Sequence, residues 1–310
     1  MTHTKVITDL DMERILVPYG IKMVSYKMLS GGSANTNYLI RTEDNAFVLT
    51  ICDEKSIEET GKLASLLEYL KQHKFSTSEL IQTTTEALTT TWNSKPVMLK
   101  GFIEGYIAKD ISEDLLLYLG KELAQLHQIK APDFIPREIA FGLQHFDDVK
   151  VYAPDSSFYK WLKTTQHYIE NHINSDLPKA LIHSDIFNSN IIVDQERKQA
   201  TIMDFEEACY YYRVFDIGMM IIGTCSNKTT INLDKVANLL KGYRQEIQLL
   251  EIEKKALKAF TIYAATATAY WRHQNFNYVN FNPEMKNRYL EMKNLADYVM
   301  NLPDNFLFED

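Results

Sequence analysis

Residues 181–190 read Leu181-Ile182-His183-Ser184-Asp185-Ile186-Phe187-Asn188-Ser189-Asn190, and residues 200–206 read Ala200-Thr201-Ile202-Met203-Asp204-Phe205-Glu206. Four letters carry the chemistry: His183, Asp185, Asn190 and Asp204, spaced H-x-D-x4-N, then thirteen residues, then D-F. Three of the four offer oxygen atoms, two as carboxylates and one as an amide. Leu181-Ile182, Asn190–Val193 and Ala200–Asp204 read as short strands that carry these polar letters at their ends and on the loop between them. Oxygen-rich groups held on strand ends suit a hard divalent cation, which prefers oxygen ligands.

The same parts serve phosphoryl transfer. One carboxylate orients the attacking hydroxyl and accepts its proton, while an amide oxygen and a second carboxylate hold magnesium against the ATP phosphates. The protein-kinase loop H-R-D-x4-N followed by D-F-G uses this logic. On that reading Asp185 is the base, Asn190 and Asp204 are metal ligands, and His183 braces the loop.

Working outward, the chain has 310 residues, 45% hydrophobic and 24% charged, the profile of an ordinary globular protein long enough for one large domain or two lobes. A net charge of −8 with no basic block argues against nucleic acid or an anionic membrane surface as partner. The three cysteines, Cys52, Cys209 and Cys225, form no C-x-x-C or His/Cys cluster, so neither a disulfide framework nor a zinc site is indicated. Reduced thiols and an N-terminus without a signal-peptide apolar core lead to the expectation of a cytoplasmic protein. The most apolar run, Ile217–Gly223, is too short to span a bilayer.

The first third reads as strands, Met23–Leu29, Asn37–Arg41 and Ala46–Cys52, a plausible antiparallel meander. A helix is expected over Ile57–His73 from Leu63, Leu66, Leu67 and Leu70, and another strand over Val97–Ile103. Ser112 is placed to cap a helix over Glu113–Ile129. Helical periodicity recurs over Phe158–Ile173 and near 233–248, 252–272 and 284–300. The expected fold class is therefore α+β: a small β-rich lobe, 1–100, and a larger mainly helical lobe, 101–310, with ligands in the cleft between them.

Here the residues carry a resemblance. His183-Ser184-Asp185-Ile186-Phe187-Asn188-Ser189-Asn190, Asn35–Thr42 and Phe47-Val48-Leu49-Thr50 are similar to the aminoglycoside phosphotransferase/choline kinase superfamily, and within it to the type II homoserine kinases. Tyr211–Gly218 is closer to the choline and ethanolamine kinases. The likeness runs from about residue 12 to 300. It implies a two-lobed protein-kinase-like fold, ATP and Mg²⁺ as cofactors, and a small-molecule hydroxyl acceptor. Homoserine is the first expectation, choline or ethanolamine the second and an aminoglycoside the third.

The resemblance assigns further candidates. Gly31, Gly32 and Ser33 would cover the phosphates, since glycines let backbone N–H groups approach an anion. Lys100 and Phe102 lie where the connector of the family meets adenine through its backbone. Asp216 is expected to brace the catalytic loop by accepting backbone hydrogen bonds, or else to cap a helix. Glu206 would attract a substrate ammonium group, and Arg272 would clamp a carboxylate bidentately. One departure stands out: Thr50 occupies the position where kinases usually place a phosphate-binding Lys. Lys55 and Lys27 are the nearby cations. The missing Lys is also the one feature that favours a non-catalytic, nucleotide-binding relative.

Overall fold

A computed structural model describes residues 7–29, 35–196, 198–304 and 306. The chain divides into two compact units, Met1–Glu104 and Gly105–Asp310. The first is β-rich and the second mainly helical, in the order expected from sequence.

The first unit opens with α1 (Asp9–Leu16), started by a reciprocal cap between Thr8 and Asp11. Strands β1 (Ser25–Met28), β2 (Asn35–Arg41) and β3 (Ala46–Cys52) follow, then α2 (Ile57–Gln72), β4 (Thr90–Trp92) and β5 (Lys95–Gly101). The sheet is antiparallel throughout, in the order β1-β2-β3-β5-β4. Strand alternation puts Tyr38, Ile40, Leu49, Ile51, Val97 and Leu99 on one face, where they form a core with Met12, Ile15 and Leu16 of α1. Each such apolar side chain contributes roughly 1.5–3 kcal/mol when removed from water. The other face carries Lys27, Leu39, Val48 and Lys100 in one cross-strand row, and Asn37, Thr50 and Met98 in the next. α2 packs on β5. Glu59 accepts the Ser56 N–H at 2.8 Å and its hydroxyl at 2.7 Å, closing the cap of α2.

The second unit contains β6 (Tyr106–Ile107), α3 (Glu113–Gln128), a short turn α4 (Val149–Tyr152) and α5 (Ser157–Glu170). Next come β7 (Lys179–Ile182), β8 (Ile191–Val193), β9 (Ala200–Ile202) and β10 (Cys209–Tyr212). Four helices complete it: α6 (Arg213–Thr224), α7 (Leu233–Tyr243), α8 (Glu251–Gln274) and α9 (Tyr289–Met300). β7 pairs with β10, and β8 lies between β6 and β9. α8 is the central rod, packed against α6, α5 and α9. Its alanines permit close approach, and its buried Thr261, Thr266 and Thr268 hydroxyls donate back to the carbonyls four residues earlier at 2.8–2.9 Å.

α6 runs through the most apolar stretch of the sequence, Ile217–Gly223. A Cβ at its Gly223 would run into the backbone of Ile186 and Phe187, so glycine is what lets this helix lie directly on the loop between β7 and β8. Among the described residues, no helix is long and apolar enough to cross a membrane.

Candidate active site

The site grows from the loop between β7 and β8 and from the turn after β9. β7 ends at Ile182, and His183 follows with no exposed surface. Its Nδ1 accepts the Asp185 N–H at 3.2 Å, so the ring proton sits on Nε2, which donates to the Met203 carbonyl at 2.9 Å. The ring also packs on Phe205, with centroids 4.6 Å apart. His183 thus bolts the Asp185 loop to the Asp204 turn, and both of its nitrogens are engaged. A second tie, from the Met203 N–H to the Asn190 carbonyl at 2.9 Å, reinforces the join.

Two residues adopt left-handed backbone conformations that non-glycine residues seldom take: Ser184 (φ 67°) and Asp204 (φ 71°). Ser184 is held there from two sides. Its N–H donates to Asp216 Oδ1 at 2.7 Å and its hydroxyl to the Glu207 carbonyl at 2.6 Å. The His183 N–H donates to the other oxygen, Asp216 Oδ2, at 2.8 Å. Asp216 lies on the first turns of α6 and is fully buried. Tyr212 is the N-cap of α6, so Asp216 braces the loop and does not cap the helix. The carboxylate is also approached by His127 Nε2 at 3.2 Å, and His127 Nδ1 meets the Tyr243 hydroxyl at 2.8 Å. Sequence reading missed His127 and Tyr243; their only signal is a polar ring on the buried face in the last turn of each of two amphipathic helices.

Asp185, Asn190 and Asp204 come together. The Asn190 amide nitrogen donates to the Asp185 carbonyl at 2.8 Å and to its Oδ2 at 3.2 Å. That use of Nδ2 leaves the amide oxygen as the atom that could face a cation. Burial pushes the Asp185 carboxyl above the usual carboxylate range. His183 opposes this, Asp204 adds to it through its own charge, and the Asn190 amide and Arg272 guanidinium pull back down. Two carboxylates close enough to repel, with an amide oxygen beside them, form a hard donor set that fits Mg²⁺.

Arg272 stands in the last turn of α8, and its guanidinium lies 5.6 Å from the ring centre of Phe187 in the same loop. Burial lowers its pKa to about 10, helped by Arg288 and opposed by Glu291 and Asp185, so it stays charged at neutral pH. Its contact with Glu291 is long, at 3.4 Å. Glu206 is half-buried in the turn Phe205–Glu207, directly after Asp204. The tyrosines of β10 are placed otherwise than as an open surface for a cationic substrate. Tyr210 faces Arg137 at 5.2 Å and Tyr212 faces Lys179 at 4.7 Å.

The remaining candidates belong to the first unit. Lys100 is half-buried on β5, opposite Val48. The Gly101 and Phe102 N–H groups donate to the Glu79 and Ala46 carbonyls at 2.8 and 3.1 Å. A purine edge at Phe102 would therefore use carbonyls, or N–H groups further along the chain. Gly31, Gly32 and Ser33 lie outside the described residues.

Comparison with known proteins identifies the family. Homoserine kinase of Rhizobium meliloti (strain 1021) is 25% identical over 260 residues, covering 81% of this chain and 79% of its own. Among solved structures, a microcompartment-associated aminopropanol kinase superposes with a TM-score of 0.74 at 15% identity, covering 96% of this chain and 98% of that one. A spectinomycin phosphotransferase, solved with ADP and spectinomycin, gives a TM-score of 0.67 at 19% identity, covering 95% and 94%. These structures share the kinase-like α+β fold. The sequence profile of the Phosphotransferase enzyme family, APH, matches residues 25–249. That match covers well over half of the sequence: the chain belongs to the Phosphotransferase enzyme family and is a small-molecule kinase.

Proposed function

We propose that the protein is an ATP- and Mg²⁺-dependent kinase that phosphorylates the side-chain hydroxyl of homoserine. The observation that carries this choice is Arg272, half-buried at the end of α8 and charged, with its guanidinium over Phe187 of the loop that holds Asp185. Homoserine carries a carboxylate a few bonds from its hydroxyl, and a guanidinium is the group best matched to a carboxylate. Choline and ethanolamine have none. The relative from Rhizobium meliloti, named a homoserine kinase, supports the same reading.

In this reading Asp185 accepts a hydrogen bond from the acceptor hydroxyl and takes its proton. The hydroxyl oxygen bonds to the γ-phosphorus of ATP as the bond to the β–γ bridging oxygen breaks, and ADP leaves. Asn190 and Asp204 would hold Mg²⁺, which when bound offsets the negative charge of the phosphates. Glu206 would face the substrate ammonium group.

The test is an ADP-release screen with homoserine, choline, ethanolamine, hydroxylysine, methylthioribose and aminoglycosides. Homoserine should give the highest kcat/KM. Turnover of ethanolamine or choline above homoserine would replace the acceptor. Binding of Mg·ATP without turnover of any acceptor would replace catalysis with a nucleotide-binding role.

A further inference from the structure

We infer that Glu291, on α9, is a positioning residue for acceptor recognition: with the Arg288 carbonyl it takes the Nη1 group of Arg272 and leaves the Nε–Nη2 edge free to fork onto an acceptor carboxylate. The inference rests on the homoserine kinase reading above. Both polar contacts of the guanidinium fall on one nitrogen. Arg272 Nη1 donates to Glu291 Oε2 at 3.4 Å and to the Arg288 carbonyl at 3.5 Å. A guanidinium has further donors on Nε and on its other terminal nitrogen. Those of Arg272 have no partner among the described residues, although only 11% of its side chain is exposed. Donors of a charged group at that depth are seldom left empty, because their loss of water is costly without a replacement acceptor.

The same chain shows how that edge is used when it is filled. Arg213, with a side chain 15% exposed, donates from Nε and Nη2 to the two oxygens of Glu253 at 2.7 and 2.6 Å. The Nε and Nη2 hydrogens point the same way and match the spacing of a carboxylate. Arg272 is similarly buried and offers the same edge with no such carboxylate on it. Glu291 does not fill it. It meets Arg272 through one oxygen, on Nη1, and that oxygen also lies 3.9 Å from Arg288 Nε. One carboxylate shared by two guanidinium groups leaves the cluster short of one negative charge. Phe187, in the loop that holds Asp185, lies under the guanidinium, so an anion on the free edge would sit next to that loop.

The chain after α8 folds back to build this arrangement. The helix widens into a π-turn at Asn275–Val279, a form often found at functional sites. From that turn the Asn277 amide nitrogen donates to the His273 carbonyl at 3.0 Å and to the Lys286 carbonyl at 2.9 Å. The clamp lays segment 286–291 against the end of α8 and so brings the Arg288 carbonyl and Glu291 to Nη1. Both Nη1 contacts are long, so they orient the guanidinium without neutralising it. An ion pair as exposed as Glu291, at 39%, adds little stability, so a purely structural Glu291 would leave kinetics unchanged. A positioning Glu291 acts on the fork, where a small misplacement is costly. An ATP phosphate would suit the same edge, and the dependence on each substrate separates the two anions.

The experiment is steady-state kinetics of the full-length protein, with homoserine and Mg·ATP varied in turn, for wild type, Glu291→Ala, Glu291→Gln, Arg272→Met and the double variant of Glu291→Ala with Arg272→Met. Glu291→Ala should raise the KM for homoserine by about tenfold, with kcat and the KM for Mg·ATP at wild-type values. Glu291→Gln should recover most of the loss, since its amide oxygen still accepts from Nη1. On the Arg272→Met background Glu291→Ala should add nothing, because the two residues act as one unit. An unchanged homoserine KM in Glu291→Ala, a lower one because Glu291 competes with the substrate, a raised KM for Mg·ATP instead, or additive losses in the double variant would each overturn the positioning role while leaving the homoserine kinase reading intact. Absence of homoserine turnover by the wild type would overturn both.

Discussion

Asp216 and Ser184 are joined by a 2.7 Å hydrogen bond from the Ser184 N–H to the buried carboxylate, and this bond holds Ser184 in a left-handed conformation one residue before Asp185. Removing the carboxylate in Asp216→Ala leaves two buried N–H groups without acceptors, each costing about 1–3 kcal/mol. The melting temperature should fall, and turnover should fall by about a hundredfold or more because a misplacement of about 1 Å at the loop has that effect. Wild-type turnover in a folded Asp216→Ala variant would show that the brace is dispensable.

Asp185 and Asp204 should fail in different ways. Asp185→Ala is expected to lower kcat by about 10²–10⁴, the usual contribution of a general base, with Mg·ATP affinity nearly unchanged. Asp204→Ala should weaken Mg·ATP binding itself. Titration with Mg·ATP beside steady-state kinetics distinguishes them, and substantial remaining activity in Asp185→Ala would reject its role.

Arg272 offers the sharpest test of the acceptor. Loss of a charge-assisted, two-pronged contact in Arg272→Met should raise the KM for homoserine by about 10- to 100-fold. Any residual turnover of ethanolamine should be unaffected. Arg272→Lys should recover little, because an ammonium does not reproduce the planar fork. Equal effects on acceptors with and without a carboxylate would mean that Arg272 only supports packing against Phe187.

Gly223→Ala reaches the loop through its backbone, at the Ile186 carbonyl, without changing any polar side chain. The added methyl must displace Ile186 or bend α6, an overpacking penalty of about 1–3 kcal/mol. Activity should fall more than stability does, since Ile186 adjoins Asp185. Comparing kcat with the urea midpoint checks this.

Acid should destabilise the second unit through His273. Burial lowers its pKa from 6.5 to about 4, and its Nδ1 has no hydrogen-bond partner among the described residues. Between those two values the unfolded chain binds a proton that the folded chain does not, so stability falls as pH drops from about 7 to about 4, by about 3 kcal/mol at most. His273→Phe keeps the stack on Phe158, whose ring centre is 4.0 Å away, and should flatten this part of the pH profile. Urea midpoints at several pH values provide the readout.

Much of the site was legible because the chemistry lies on short-range spacing. His183, Asp185, Asn190 and Asp204 were read from their intervals, and the structure ties the two segments that carry them, the β7–β8 loop and the turn after β9, to each other. The β3 strand, Ala46–Cys52, was read to the residue because its ends are marked by polar turns. α6 was not recognised as a helix, since a run that is apolar all round carries no amphipathic period. β10 was missed for a related reason. Cys209–Tyr212 is four residues long, and its strand character comes from pairing with β7, which no local signal reports. The bracing role of Asp216 was available only from resemblance, because its partners are backbone groups more than thirty positions away.

The two contacts that α6 makes with the catalytic loop set a constraint on length. Asp216 grips His183 and Ser184, and Gly223, seven residues later, lies on Ile186. A helix rises about 1.5 Å and turns about 100° per residue, so the two contact points are about 10.5 Å apart along the rod and at a fixed angle. The six residues between them can exchange one apolar side chain for another. An insertion or deletion among them would rotate one contact out of phase with the other. This stretch is a gauge whose count of residues, more than their identity, keeps Asp185 in place.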